Sequence, residues 1–95
     1  MTDPAEKDRY QIELAGTARR DLRGVPPRIV PAIVEFVYGD LARSPRRVGK
    51  PLQRELTGLW GARRGPYRIM YEIVDDRLLV LVIHVDHRAD AYRPR

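Results

Sequence analysis

The stretch LWGARRGPYRIMY, Leu59 to Tyr71, reads as two short strands joined at Gly65-Pro66. Gly followed by Pro suits a II′ hairpin turn, whose first loop residue takes a positive φ and whose second takes a φ near proline's own. A two-residue loop then sets the register: Arg64 faces Tyr67, Arg63 faces Arg68, Ala62 faces Ile69 and Trp60 faces Tyr71. One side of the hairpin carries Trp60, Ala62, Ile69, Tyr71 and Ile73, a surface for helices to cover. The other carries Gly61, Arg63, Arg68, Met70 and Glu72. Partners on one face lie only ~4.5–5.5 Å apart at Cβ, where like charges repel. Arg63 opposite Arg68 therefore points to an anion held between them, with Gly61 leaving room for a ligand to approach the backbone. A slip of one residue would exchange the two faces, so this reading depends on the turn.

Outward from the hairpin, the pattern is that of one small α+β domain. Residues 1–8 read as a polar tail and residues 9–95 as a single domain. Tyr10 to Leu14 alternates apolar and polar like a short strand. Gly16-Thr17 starts a helix, with Thr17 the candidate N-cap, and Gly24 with Pro26-Pro27 ends it. Ile29, Ile33, Val37 and Leu41 recur every four residues and mark an amphipathic helix, with Pro31 in its first turns and Ser44-Pro45 at its end. Arg46 to Pro51 is a basic connector. Asp75-Asp76-Arg77 is a turn, and the aliphatic run Leu78 to Val85 fits a central strand covered on both faces. The expected order is β-α-α-β-β-β: two N-terminal helices packed on a small, curved, mainly antiparallel four-stranded sheet.

Composition narrows the function classes. The 95 residues carry 18 Lys+Arg against 13 Asp+Glu, a net charge of +5 and a pI near 10.1. Lys7 and Lys50 are the only lysines, so the positive charge is almost all arginine, whose planar fork matches phosphate. An anionic partner follows, nucleic acid or an acidic protein segment. A GC-rich coding sequence would produce the same arginine bias without any function. There is no cysteine, which removes disulfides, thiolate catalysis and zinc–thiolate sites. No apolar run approaches the ~18–20 residues of a membrane span, and a cytoplasmic location is expected.

The short first strand, ARRDL, the connector SPRRVGKPL, the hairpin GLWGARRGPYRIMYEI and the ending IHVDHRADAY together resemble the RelE-type toxins of the RelE/ParE superfamily of bacterial toxin–antitoxin modules. The resemblance covers roughly residues 9–93. It implies a ribosome-dependent endoribonuclease, an mRNA interferase that enters the ribosomal A site and cuts the exposed codon. The implied reaction is metal-independent: the ribose 2′-hydroxyl attacks the adjacent phosphate and leaves a 2′,3′-cyclic phosphate. That chemistry needs a base, an acid and cations for the phosphorane charge. The resemblance assigns catalysis to Arg63, Arg68, His87, Arg88 and Tyr92, and contacts with RNA to Arg64, Arg46, Arg47 and Lys50. It also implies a RelB-like antitoxin as partner, with operator DNA bound by the complex through the antitoxin. Where well-known relatives carry a lysine pair on the first hairpin strand, this chain has Leu59 and Gly61.

Other readings of the same residues stand beside these. Arg63 and Arg68 would serve equally as solvated charges paired with Glu72. Arg46, Arg47 and Lys50 would sit in a solvated loop, and Tyr92 would cap the core. His84, inside the apolar strand, reads as a hydrogen-bonded structural residue, whereas His87, just past it, is placed where functional sites often form. Asp75, Asp76, Asp86 and Asp90 lack metal-ligand spacing, and no glycine loop or nucleophile elbow is present, so no metal or cofactor is expected. Two alternatives share the fold: a ParE-like gyrase inhibitor and a catalytically weakened homologue that only binds antitoxin.

Overall fold

The computed structural model describes residues 9–87; the tail expected over residues 1–8, and Arg88 and Tyr92, lie outside the described residues. The chain runs β1 (Gln11–Leu14), α1 (Gly16–Arg23), α2 (Val30–Phe36) continuing as a π-turn (Val37–Leu41), α3 (Pro45–Val48), β2 (Gly49–Pro51), β3 (Trp60–Arg64), β4 (Tyr67–Val74) and β5 (Leu79–His87). The sheet has five strands in the order β1-β5-β4-β3-β2, antiparallel except that β1 runs parallel to β5.

The β3–β4 hairpin has the register expected from its turn. Arg63 faces Arg68, Arg64 faces Tyr67 and Trp60 faces Tyr71, and Gly65 takes the positive φ, +59°, that the turn requires. Four strands were expected and five are present among the described residues. The extra one is β2, drawn from the basic connector and paired with β3 through Gly49–Ala62, Lys50–Gly61 and Pro51–Trp60. Three residues are too few to show an alternation, and Pro51, which has no N–H to donate, is tolerated only at such an edge. The connector also holds α3, because Pro45 both ends one helix and opens the next.

The helices cover one face of the sheet. Ile33, Val37 and Leu41 are buried against a core that includes Ala62, Ile69, Tyr71, Val80, Val82 and Val85. Residues four apart drift by about 40° around an α-helix of 3.6 residues per turn. The wider π-turn after Phe36 offsets that drift, so the four-residue spacing stays on the core side to Leu41.

Thr17 is not the N-cap of α1. Ala15 occupies that position without a side-chain cap, and the Thr17 hydroxyl instead donates to the backbone carbonyl of Ile83. The reason lies in β5. Ile83 is an extra residue in its ladder with β4, since Tyr71 faces Val82 while Met70 faces His84. Beyond this bulge, side-chain parity in β5 is reversed: Val85 and His87 join the helix face, and His84 and Asp86 turn to the open face. Strand β1 ends at Leu14, so the outer edge of β5 past Val82 lacks a strand partner among the described residues. Helix α1 fills that role through Thr17 and through Asp21, whose carboxylate accepts from the backbone N–H of Val85 at 3.0 Å.

Candidate phosphate-binding cleft

On the open face, Lys50, Leu52, Gly61, Arg63 and Arg68 line a cleft of about 500 Å³ together with Val48, Gly49 and Ala62. Gly61 forms its floor. A Cβ there would stand only 3.2 Å from Leu52, while its 3.7 Å to the Cδ of Arg68 is an ordinary contact, so the missing side chain makes room chiefly for Leu52. Arg63 is exposed, and Arg68 is half-buried between Arg63 on β3 and Asp86 on β5, each directly opposite it. The Nε of Arg68 is buried and has no hydrogen-bond partner among the described residues. Its Nη2 lies 3.3 Å from the Met70 sulfur, a weak acceptor. Neither Arg63 nor Arg68 is ion-paired with a carboxylate among the described residues, Glu72 included. A half-buried guanidinium with an unused donor, beside a second guanidinium, can receive an oxyanion.

The remaining sequence candidates divide. Lys50 lies in the cleft, and exposed Arg47 on α3 precedes the cleft-lining Val48. Arg64 belongs to the helix side, in a hollow with Glu35, Asp40 and Arg43. Arg46 is committed elsewhere: its guanidinium binds both carboxylate oxygens of Asp75, one at 2.9 Å, and stands 5.9 Å from the centre of the Trp60 ring. The hydrogen bond from Arg46, aided by one from Tyr10, holds the Asp75 carboxyl below its ordinary range. His87 is the last residue of β5, not a residue beyond it, and faces Tyr67 edge-to-face with ring centres 5.2 Å apart. Both line a hollow with Arg20, Asp21 and Val25, on the face opposite Arg63 and Arg68. Arg88 and Tyr92 are outside the described residues.

His84 has the structural role expected of it. Its Nδ1 lies 3.0 Å from Asp21, and because a carboxylate only accepts, that nitrogen carries the proton. One grouping went unread in the sequence: Asp21, His84 and Asp86 bring three potential ligand atoms within 4.8 Å of one another. The alternation of His84 and Asp86 along a strand was visible. The approach of Asp21, from a helix far away in the chain, was not.

The α+β frame is that of a small toxin of bacterial toxin–antitoxin modules. A family described as "ParE toxin of type II toxin-antitoxin system, parDE" matches residues 2–92, and the chain belongs to this RelE/ParE superfamily of type II toxins. Within it, the chain is a RelE-family toxin. It is 57% identical over 84 residues to Toxin RelG of Mycobacterium tuberculosis, covering 88% of this chain and 97% of that protein. Toxin RelE of the same organism is 46% identical over 84 residues, covering 88% and 87% respectively. Among solved structures, the toxin–antitoxin complex RelBE2 of M. tuberculosis contains a chain that superposes with a TM-score of 0.81 at 55% identity. That match covers 84% of this chain and 99% of the other. The intact E. coli RelBE complex shares the fold, with a TM-score of 0.67 at 20% identity over 82% of this chain and 95% of that one. No helix among the described residues is long and apolar enough to cross a membrane.

Proposed function

We propose that the protein inhibits translation as a ribosome-dependent endoribonuclease, cutting mRNA at the cleft on the open face of the sheet. The observation that carries this reading is the pairing of Arg63 with Arg68 on that face, without carboxylate partners among the described residues and with the Nε of Arg68 buried and unused. Such an arrangement is costly when empty and stabilised by a phosphodiester, whose charge rises further in the phosphorane. In the reaction the 2′-hydroxyl loses its proton and its oxygen bonds to the adjacent phosphorus. The bond from phosphorus to the 5′-oxygen breaks, and that oxygen takes up a proton. The products are a 2′,3′-cyclic phosphate and a 5′-hydroxyl. No metal ion is required, because the arginines hold the charge. Proton transfer is assigned to Tyr92 and further charge stabilisation to Arg88; His87, beside Tyr67 on the opposite face, is left out of the chemistry. Between acts of cleavage, a RelB-like antitoxin with an acidic segment neutralises the basic face.

The test is cell-free translation with purified protein, mapping mRNA 5′ ends with and without ribosomes. Ribosome-dependent cuts within codons, reduced about 10²-fold or more by Arg68→Ala, support the reading. Tyr92→Phe then tests the proton-transfer role, and His87→Ala, on the opposite face, is expected to leave cleavage in place. Intact mRNA and normal translation would overturn it and lead to a gyrase supercoiling assay.

A further inference from the structure

Lys50 stands directly opposite Gly61 in the β2–β3 ladder, and Gly61 directly opposite Met70 in the β3–β4 ladder. Residues opposite one another share a face, as do residues two apart along one strand. Lys50 is therefore on the face of Arg63 and Arg68 and lines the same cleft. Three adjacent strands thus each supply one cation, and Lys50 occupies the side of the cleft that Gly61 leaves bare. Lys50 too has no carboxylate partner among the described residues.

A three-residue edge strand holds little stability of its own, so something must keep β2 in place. The ring of Tyr71 is fully buried, and its hydroxyl donates to the carbonyl of Pro45 at 2.6 Å. The same hydroxyl lies under Gly49, where an added Cβ would stand only 2.0 Å from it. One buried oxygen therefore ties down the first residue of α3 and supports the first residue of β2. Those are the two ends of the segment that delivers Lys50.

We propose that Lys50 is a third phosphate-contacting cation of the cleft, and that Tyr71 is a positioning residue that acts through it. The proposal rests on the reading of the cleft as an RNA phosphate site. It is tested by fluorescence anisotropy of a labelled single-stranded RNA bound to the full chain across a salt series, each variant first shown to be folded by circular dichroism. Each phosphate neutralised on a single strand contributes about 0.7 to the slope of log K against log salt. Lys50→Ala is expected to bind several-fold more weakly with a slope shallower by about 0.7, and Lys50→Arg to restore both. Tyr71→Phe is expected to weaken binding in the otherwise unchanged chain and to add nothing in the Lys50→Ala background. If Arg68→Ala weakens binding and Lys50→Ala does not, this inference falls and the cleft reading stands. If neither changes binding, the cleft reading falls and the inference with it. A Tyr71→Phe effect of the same size in both backgrounds would overturn the positioning role.

Discussion

Replacing Tyr71 by Phe removes one buried oxygen and tests how the sheet edge is held. At neutral pH the loss of the hydrogen bond to Pro45 leaves a buried carbonyl without that donor, at a cost of about 1–3 kcal/mol. For a domain of this size each kcal/mol lowers Tm by about 4–8 °C. The pH dependence gives a sharper check. Burial pushes the Tyr71 hydroxyl up from 10.0 to about 12. The unfolded chain loses this proton from about pH 10, whereas the folded chain keeps it to about pH 12, so between those values the native state binds more protons. Stability must then fall as pH rises. Two pKa units correspond to about 2.7 kcal/mol, present in full below pH 10 and lost by pH 12. The Phe variant has no such group. Its deficit of about 1–3 kcal/mol at pH 7 should therefore shrink towards zero near pH 12. Urea unfolding followed by circular dichroism at stepped pH measures the difference, in which the other tyrosines and the two lysines cancel. A deficit that stays constant across pH 7–12, or is absent at pH 7, would refute the account of Tyr71 as a neutral buried donor.

Gly49→Ala forces a Cβ to within 2.0 Å of the Tyr71 hydroxyl and 2.9 Å of the Gly61 carbonyl. It should cost about 1–3 kcal/mol or more, less in the Tyr71→Phe background, as read by thermal denaturation. Asp21→Ala takes the acceptor from the Val85 N–H and from His84; a loss of about 1–3 kcal/mol and faster hydrogen exchange at Val85 are expected, with Asn less damaging than Ala. Arg46→Ala should raise the Asp75 pKa in an NMR titration, since the Arg46 hydrogen bond is the main cause of its depression. Because a lowered carboxyl pKa stabilises only above the unfolded value, the wild-type chain should lose its advantage over this variant as the solution is acidified below about pH 4. At neutral pH the advantage is small, as both side chains of that pair are more than half exposed.

The β3–β4 hairpin was legible in the sequence because a two-residue loop leaves no slack. Once Gly65-Pro66 is the turn, every pair from Arg64–Tyr67 to Trp60–Tyr71 follows, and with it the facing arginines. The core stripe of α2 was legible for a similar reason, its spacing being local. What tertiary structure decided are the pairings between segments joined by longer connections. The sequence around β5 contains nothing to announce the bulge at Ile83, because its compensation comes from Thr17 and Asp21 far away in the chain. Yet that single extra residue sets which of His84, Asp86 and His87 share a face with Arg68. An uninterrupted ladder would have put His87 beside the arginines; the bulge puts it beside Tyr67. Likewise, RRVGKP reads only as a basic connector until its last residues pair with β3. That pairing sets Lys50 over Gly61 while Arg46 is drawn to Asp75. Local periodicity and turn chemistry act within a few residues and are written in the chain, whereas the partner of an edge strand is chosen by burial and hydrogen bonding across the whole sheet.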